Sequence, residues 1–188
     1  GYFKQALDIY PEHQKARKGL DNVTKQFLNN GNTAYKRGDI DKAKTLYKKA
    51  LKYDTDFYLA YFQLGVLEKK LGNSSLAINY LNKVLNIKSD HDKTWFTLGT
   101  VFESDDHLDS AIVKYQKAIE LNPGYTKAYG NLGNMYMRKK DYSAAEDLLI
   151  IATQIDPTYA DGYLRLGLVY EQQELYSEAS EQFKLSTE

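Results

Sequence analysis

A short polar run with a histidine is the one stretch of this sequence that resembles catalytic machinery by residue type. The run Ser104-Asp105-Asp106-His107 holds a hydroxyl, two carboxylates and an imidazole, the kinds of group that serine hydrolases combine for nucleophilic attack. That chemistry depends on a defined spatial arrangement, which neighbouring residues of a chain do not provide. Consecutive polar residues are instead typical of a turn. We therefore expect a turn here and no catalytic triad.

The other residues that could support acid–base or metal chemistry are isolated from one another. The two further histidines, His13 and His91, are far apart in the chain, and His91 precedes Asp92 where we expect a helix cap. The absence of cysteine excludes disulfides, thiolate metal sites and a cysteine nucleophile. No phosphate-binding loop or dinucleotide-binding pattern occurs. The sequence therefore predicts a protein that is not an enzyme and that has no cofactor or metal site.

A repeat of 34 residues determines the elements that would position any site. Glycines and alanines recur at this fixed interval, and a period between about 20 and 50 residues indicates one supersecondary unit that is stacked repeatedly. Such a stack offers an extended surface and not an enclosed reaction chamber, which favours binding over catalysis. The repeated residues are Gly31, Gly65, Gly99, Gly133 and Gly167, and Ala43, Ala77, Ala111, Ala145 and Ala179.

Each repeat is predicted to contain two amphipathic helices, here called A and B. Apolar residues surround each repeated glycine at helical spacing, as Trp95, Leu98 and Phe102 do around Gly99. A glycine inside a helix costs about 1 kcal/mol relative to alanine. Its repetition therefore predicts a close approach of helix A, at its glycine, to helix B, at its alanine. Glycine and polar residues predict a turn between A and B, and proline ends helix B shortly after Asn122.

At these residues the chain resembles the tetratricopeptide repeat family, whose pattern W-x2-L-G-x2-Y, A-x3-F and P occurs most completely from Trp95 to Pro123. In the preceding copy, Glu68 stands at the second aromatic position. The resemblance implies an all-α fold, an α-solenoid in which antiparallel helix pairs form a right-handed superhelix. It divides the chain into residues 1–23, which hold the end of a preceding repeat and an incomplete repeat, then repeats at 24–57, 58–91, 92–125, 126–159 and 160–188, the last of them truncated.

Both ends of the sequence suggest an internal piece of a longer protein. Residues 3–12 resemble the closing half of a helix B that ends at Pro11, and the last repeat stops inside helix B. After Pro11, apolar residues keep helical spacing and no proline intervenes, which predicts one long helix over residues 14–37. Two helices with a kink at residues 29–31 are the alternative.

The resemblance also implies where a ligand binds. In this family, helix A residues line a concave groove at offsets next to the repeated Leu-Gly pair. Several of these positions are apolar in this chain, which favours recognition of a peptide or helix, while packing against the neighbouring helix A is the alternative. The predicted groove residues are Asn32, Tyr35, Phe62, Gln63, Val66, Lys69, Phe96, Thr100, Asn131, Asn134, Arg138, Leu164, Arg165 and Leu168. Further residues at the same offsets are Lys25, Leu28, Lys36, Lys70, Thr97, Glu103, Met137 and Asp161.

Two specialised forms of peptide recognition in this family are not expected here. The clamp for a C-terminal carboxylate requires a set of basic residues and asparagines, but Leu28, Gln63 and Thr97 stand at three of its positions. The ladder of asparagines that grips a peptide backbone is present only at Asn29 and Asn131. The predicted groove would therefore bind a partner in another way.

The net charge of zero conceals an opposition between the two halves of the sequence. Residues 1–94 contain 17 Lys and Arg against 10 Asp and Glu, whereas residues 95–188 contain 8 against 15. In a linear stack, this predicts a basic first half and an acidic second half, which favours a partner of matching polarity or head-to-tail self-association. Polyanion or RNA binding by the basic half is a further alternative. Lysines such as Lys44 are interspersed with acids, however, and resemble an ordinary solvated stripe.

The sequence as a whole predicts a non-catalytic scaffold that binds a peptide or helix of another protein in the concave groove. Nucleic acid is not the expected partner. No apolar run approaches the roughly 18 residues of a membrane span, so we expect no membrane contact and a cytoplasmic location.

Overall fold

The computed structural model describes residues 2–10 and 12–187, and this part of the chain contains eleven helices and no strand. Pro11, where we expected a helix to end, lies outside the described residues. None of the described helices is both long and apolar enough to cross a bilayer. The helices are α1 (Tyr2–Ile9), α2 (Gln14–Lys36), α3 (Ile40–Tyr53), α4 (Tyr58–Lys70), α5 (Ser74–Ile87), α6 (Asp92–Ser104), α7 (Leu108–Leu121), α8 (Thr126–Arg138), α9 (Tyr142–Ile155), α10 (Ala160–Gln172) and α11 (Tyr176–Leu185).

The long helix predicted after Pro11 is confirmed as α2, a continuous element of 23 residues. It begins after His13, whose Nδ1 accepts a hydrogen bond from the amide of Ala16 at 3.1 Å and so satisfies one of the unpaired N–H groups of the first turn. The alternative of two helices divided at residues 29–31 is excluded, because the helix continues through this segment.

From α2 onward the helices pair as antiparallel hairpins, each joined by a turn of three residues. Every turn contains one residue in the left-handed region, with φ between 63° and 85°. The amide that follows donates to a carbonyl five residues earlier, as Asp141 does to Tyr136 at 3.0 Å. This is the hydrogen bond of a Schellman motif, which satisfies a carbonyl at the end of helix A. The left-handed residues are Gly38, Gly72, Asp106, Lys140 and Glu174.

The repeated glycines of helix A make room for a bulky side chain of helix B. A Cβ at Gly99 would lie 2.5 Å from the ring of Tyr115, and one at Gly133 would lie 2.9 Å from the side chain of Leu149. These side chains come four residues after the repeated alanine. The predicted close approach of helix A, at its glycine, to helix B, at its alanine, is confirmed at two repeats, where the backbone oxygens of Ala77 and Ala145 lie 3.4 Å and 3.3 Å from the Cβ positions of Gly65 and Gly133. The contact with the bulky side chain was not predicted; it fills the space that a glycine opposite only an alanine would leave in a close-packed interior.

The described helices form two compact units, which are unit 1 (Gly1–Ser89) and unit 2 (Asp90–Glu188). In unit 1, Tyr47 and Leu64 are fully buried in a core that α2, α3 and α4 share. In unit 2, Tyr115 holds the place equivalent to Tyr47, and Leu149 holds the same helix B position one repeat later, in two neighbouring clusters. In each unit, the helix B side chain that packs against the helix A glycine is therefore buried, and one surface of the A helices remains exposed to solvent.

Candidate functional site

The polar run that resembled a catalytic triad forms the turn between α6 and α7. Ser104 ends α6, and its hydroxyl donates to the carbonyl of Val101 at 2.7 Å. Asp106 has a left-handed φ of 63° and forms an ion pair with Arg138. His107 is the N-cap residue of α7. The predicted turn is confirmed, and each of these groups has a structural role in it.

His91 is the N-cap residue of α6, as we predicted, and its Nδ1 lies 2.7 Å from the hydroxyl oxygen of Thr94. Throughout residues 2–10 and 12–187, no group of three His, Cys, Asp or Glu side chains is placed to hold a metal ion. The candidate site that the predicted groove residues indicate is the solvent-facing surface of the A helices, which carries amides, hydroxyls, leucines and charged residues.

A chain of hydrogen bonds connects two A helices of unit 2, α6 and α8, on one surface. Tyr115 of α7 donates its hydroxyl to Oε2 of Glu103 in α6. Asn131 Nδ2 donates to the Tyr115 oxygen at 3.2 Å, and Asn134 Nδ2 donates to Glu103 Oε1 at 3.1 Å. Both amides, from α8, are thereby held in a fixed orientation. We call this surface the inner face of unit 2, and it comprises Phe96, Thr100, Glu103, Asn131, Asn134, Met137, Arg138, Leu164, Arg165 and Leu168.

The phenol groups next to this face are held in the neutral form. Burial raises the pKa of Tyr115, and the hydrogen bond and negative charge of Glu103 raise it further. Burial, together with the nearby carboxylate of Asp161, likewise raises the pKa of Tyr159 to about 12. Both phenols are therefore protonated near physiological pH.

Several charged side chains of the inner face of unit 2 are already paired. Arg138 of α8 contacts Asp106, and Nε of Arg165 lies 2.7 Å from Oδ2 of Asp161 within α10. Exposed ion pairs of this kind contribute only about 0–1 kcal/mol to stability, but they compensate charge locally. The polar groups left to a ligand are then mainly amides.

Two leucines one helical turn apart form the apolar part of this face. Leu164 and Leu168 of α10 are 45% and 37% exposed. Leu168 also lines a pocket of about 270 Å³ with Met137 of α8 and Tyr142 of α9. Burying a fully exposed leucine side chain contributes roughly 1.5–3 kcal/mol, and the exposed part of each of these two side chains offers a corresponding share of it. A partner that covers both leucines therefore gains a substantial part of its binding energy from them.

Phe96 has a different environment from these leucines. Its ring centre lies 5.6 Å from that of Tyr115 and 4.8 Å from that of Tyr125, and it packs against the core of unit 2. The side chain is half-buried. Packing, the alternative to ligand binding, thus accounts for much of the Phe96 surface, whereas the leucines of α10 remain exposed.

In unit 1, the helices α2 and α4 form the corresponding surface. Tyr47 donates its hydroxyl to Oδ1 of Asn32 at 2.9 Å. Lys70 Nζ of α4 lies 4.9 Å from the ring centre of Tyr35 in α2, within the range of a cation–π interaction. We call this surface the inner face of unit 1, and it comprises Asn32, Tyr35, Lys36, Phe62, Gln63, Val66, Lys69 and Lys70.

The predicted groove residues fall on these two faces, six on unit 1 and eight on unit 2, and each is at least partly exposed. Two other residues at the same offsets are buried and unavailable to a ligand. Leu28 packs in the core of unit 1, and Thr97 donates its hydroxyl to the carbonyl of Lys93 at 2.7 Å.

The role of the Tyr115 hydroxyl was missed by the sequence argument, because this position was interpreted only as a core slot. The same B-helix slot holds Leu81, Leu149 and Phe183 elsewhere, which have no polar atom. Tyrosine at positions 47 and 115 was the available indication, since a buried phenol usually finds a hydrogen-bond partner.

A buried ion pair in unit 1 was also missed. Glu68 is fully buried, with Lys44 Nζ 2.5 Å from its Oε1, and Asn73 Nδ2 donates to its Oε2 at 2.8 Å. Burial opposes ionisation of Glu68, but the hydrogen bonds from Lys44 and Asn73 outweigh it and hold the pKa of this carboxyl below its usual range. The prediction that Lys44 belongs to a solvated stripe was therefore wrong, and its ammonium group has a structural partner.

Comparison with known protein families gives matches over most of the chain. The family model described as TPR repeat matches residues 31–72, 107–140 and 133–174, and the model described as tetratricopeptide repeat matches residues 58–91. No curated protein sequence matches at a significant level.

Solved structures of similar fold include three with different degrees of sequence identity. The crystal structure of MamA is 30% identical, with a TM-score of 0.75 over 84% of this chain and 92% of that chain. PilF of Pseudomonas aeruginosa is 19% identical, with a TM-score of 0.84 over 90% of this chain and 77% of that chain. YrrB, described as a TPR protein with an unusual peptide-binding site, is 22% identical, with a TM-score of 0.68 over 99% and 91%. The last two comparisons establish the fold alone.

Proposed function

This chain belongs to the tetratricopeptide repeat family, and from that premise we propose that it is a scaffold that binds a peptide or helix of a partner protein on the inner face of unit 2. Stacked repeats present extended surfaces of the kind that such partners require. The observation that carries the proposal is the exposure of Leu164 and Leu168, one turn apart on α10, on the same face as the oriented amides of α8.

The leucines and the amides supply different parts of the recognition. Leu164 and Leu168 would contact apolar side chains of the partner, which a helix presents at i and i+3 or i+4. The Nδ2 groups of Asn131 and Asn134 are used within the protein, so their Oδ1 atoms are left to accept hydrogen bonds from the partner. The leucines would provide affinity and the amides would fix the register, without any catalytic step.

Selection of binding peptides from a displayed library against the purified chain, followed by affinity measurements, tests this proposal. We expect a Leu164→Glu/Leu168→Glu variant to lose at least about tenfold in affinity, since burying two charges replaces the favourable burial of two leucines. Val113 and Ile151 are exposed apolar residues on the B helices of unit 2, 56% and 37% exposed. A Val113→Glu/Ile151→Glu variant is therefore a matched control and should keep its affinity within about twofold.

Unchanged affinity in the Leu164→Glu/Leu168→Glu variant, or an equal loss in both double variants, would contradict the proposal. Circular dichroism and urea unfolding of each variant establish that any loss of affinity does not come from loss of helix.

A second candidate function is association of copies through opposite charges. The observation that favours it is the excess of basic residues within 1–94 and of acidic residues within 95–188. Sedimentation velocity at low and at high salt tests it, because screening shortens the Debye length from about 10 Å at 0.1 M to about 3 Å at 1 M. We expect oligomers at low salt that dissociate at high salt. Self-association that is unchanged by salt would contradict a charge-driven mechanism.

A further inference from the structure

The inner face of unit 1 differs from that of unit 2 in the sign and the pairing of its charges. Residues 22–38 and 57–89, which include the A-helix surfaces of unit 1, contain a single acidic residue, Glu68. Glu68 is fully buried and bound by Lys44 and Asn73, so it does not neutralise the surface. Lys36 and Lys70 are exposed there.

Unit 2 contains its own carboxylate at the equivalent place. Glu103 accepts hydrogen bonds from Tyr115 and from Nδ2 of Asn134. In unit 1, Lys69 and Tyr35 stand at the offset of Glu103, one and two repeats earlier in the chain. The acceptor that satisfies the donors of unit 2 is thus replaced by an aromatic ring and a cation.

The amide of Asn32 in unit 1 is oriented by a hydrogen bond from within the same unit. Asn32 occupies the same offset as Asn134, and its Oδ1 accepts the hydroxyl of Tyr47 at 2.9 Å. This bond fixes the amide so that Nδ2 is the atom left to donate, and within the described part of the chain Nδ2 has no partner. Lys36 likewise makes no ion pair with any described residue.

We propose that the inner face of unit 1 binds a glutamate- or aspartate-rich segment of a partner protein, with Asn32 Nδ2, Lys36 and Lys70 as donors to its carboxylates. The proposal deepens the scaffold function and rests on it only in taking an inner face as a binding surface. Charge complementarity selects the occupant, because cations that make no ion pair within the described part of the chain attract carboxylates and gain hydrogen bonds from them.

A peptide fits this face better than single-stranded RNA does. Binding of single strands relies on exposed aromatic rings on which bases stack. The ring of Tyr35 is covered by the ammonium group of Lys70, and Phe62 is half-buried. The donors are therefore available, whereas the stacking platforms are not.

Fluorescence anisotropy of a labelled peptide of alternating glutamate and alanine tests the proposal, with a glutamine–alanine peptide and an oligouridine of equal charge as comparison probes. We expect the acidic peptide to bind most tightly. A Lys36→Gln/Lys70→Gln variant should weaken its binding roughly fivefold or more, because two charge-assisted contacts are lost. Lys48 and Lys49 of α3 are also exposed, so Lys48→Gln/Lys49→Gln removes equal charge from a B helix and should change affinity less than about twofold.

Three results would overturn the proposal: no preference for the acidic over the neutral peptide, equal losses in the two lysine variants, or tighter binding of the oligouridine through Lys36 and Lys70. The Leu164→Glu/Leu168→Glu variant separates this inference from the proposed function. If this inference and the proposed function are both correct, that variant still binds the acidic peptide but no longer binds the library-selected peptide. If the chain shows no preference for the acidic peptide but still binds the library-selected peptide through Leu164 and Leu168, this inference is wrong and the proposed function stands.

Discussion

Glu68 occupies a slot that holds an aromatic ring in the three repeats that follow, at Phe102, Tyr136 and Tyr170. The sequence identified this departure from the repeat pattern but not its consequence. The partner, Lys44, lies 24 residues earlier on a different helix, and no periodic argument connects the two positions. A buried charge is tolerated only when it is paired and hydrogen-bonded, and Lys44 with Asn73 meets that requirement here.

Replacement of Lys44 by methionine is predicted to destabilise the protein by about 1–3 kcal/mol at pH 7, because it strands the buried carboxylate of Glu68. The pKa of Glu68 is lowered from 4.5, so the stabilisation by its pairing is present above about pH 4.5 and is lost as pH falls through the lower folded-state pKa. The difference in the free energy of unfolding between wild type and Lys44→Met, measured with urea, should therefore decrease as the pH is lowered.

A matched control is Lys49→Met, which changes an exposed lysine of the same helix and should alter stability by less than about 0.5 kcal/mol. If Glu68→Gln/Lys44→Met were as unstable as Lys44→Met alone, the stranded charge would not be the cause.

At the scale of the helices, periodicity predicted the elements and their turns, but not which side chains meet. The hairpins begin and end where glycine, polar residues and proline indicated, and α2 is continuous as expected. The contact of Gly99 with the ring of Tyr115 was not predicted, because sequence spacing does not tell which of several residues on helix B fills the space above a glycine. The left-handed turn residue is glycine at two hairpins and has a side chain at the other three.

Lys140 tests the cost of that turn geometry. Its φ of 63° belongs to a region that residues with a side chain adopt at a cost of about 1 kcal/mol. We predict that Lys140→Gly stabilises unit 2 by roughly 0.5–1 kcal/mol, while Lys140→Ala, which keeps the strained backbone, has little effect. Thermal and urea unfolding of both variants measure the difference. Equal stability of the two would show that the left-handed conformation carries no cost at this turn.

At the scale of the whole molecule, the repeat predicted where ligands have access but not what each face offers them. Positions one repeat apart are equivalent in geometry, yet Tyr35, Lys69 and Glu103 share an offset and give their faces different charge. The period together with the family resemblance could predict most residues of the inner faces. It could not predict that Glu103 would be satisfied internally, because that depends on the hydroxyl of Tyr115 and the amide of Asn134 meeting it in space.

Hydroxyl-radical footprinting of the chain with and without a library-selected peptide tests most directly that the inner face of unit 2 is the binding site. The method oxidises exposed side chains, among which methionine and leucine react readily. We predict that oxidation of Met137, Leu164 and Leu168 falls when the peptide is bound, while that of Val113 and Ile151 on the B helices is unchanged. Protection of Val113 and Ile151, with Leu164 and Leu168 still oxidised, would contradict the assignment and place the partner on the opposite helices.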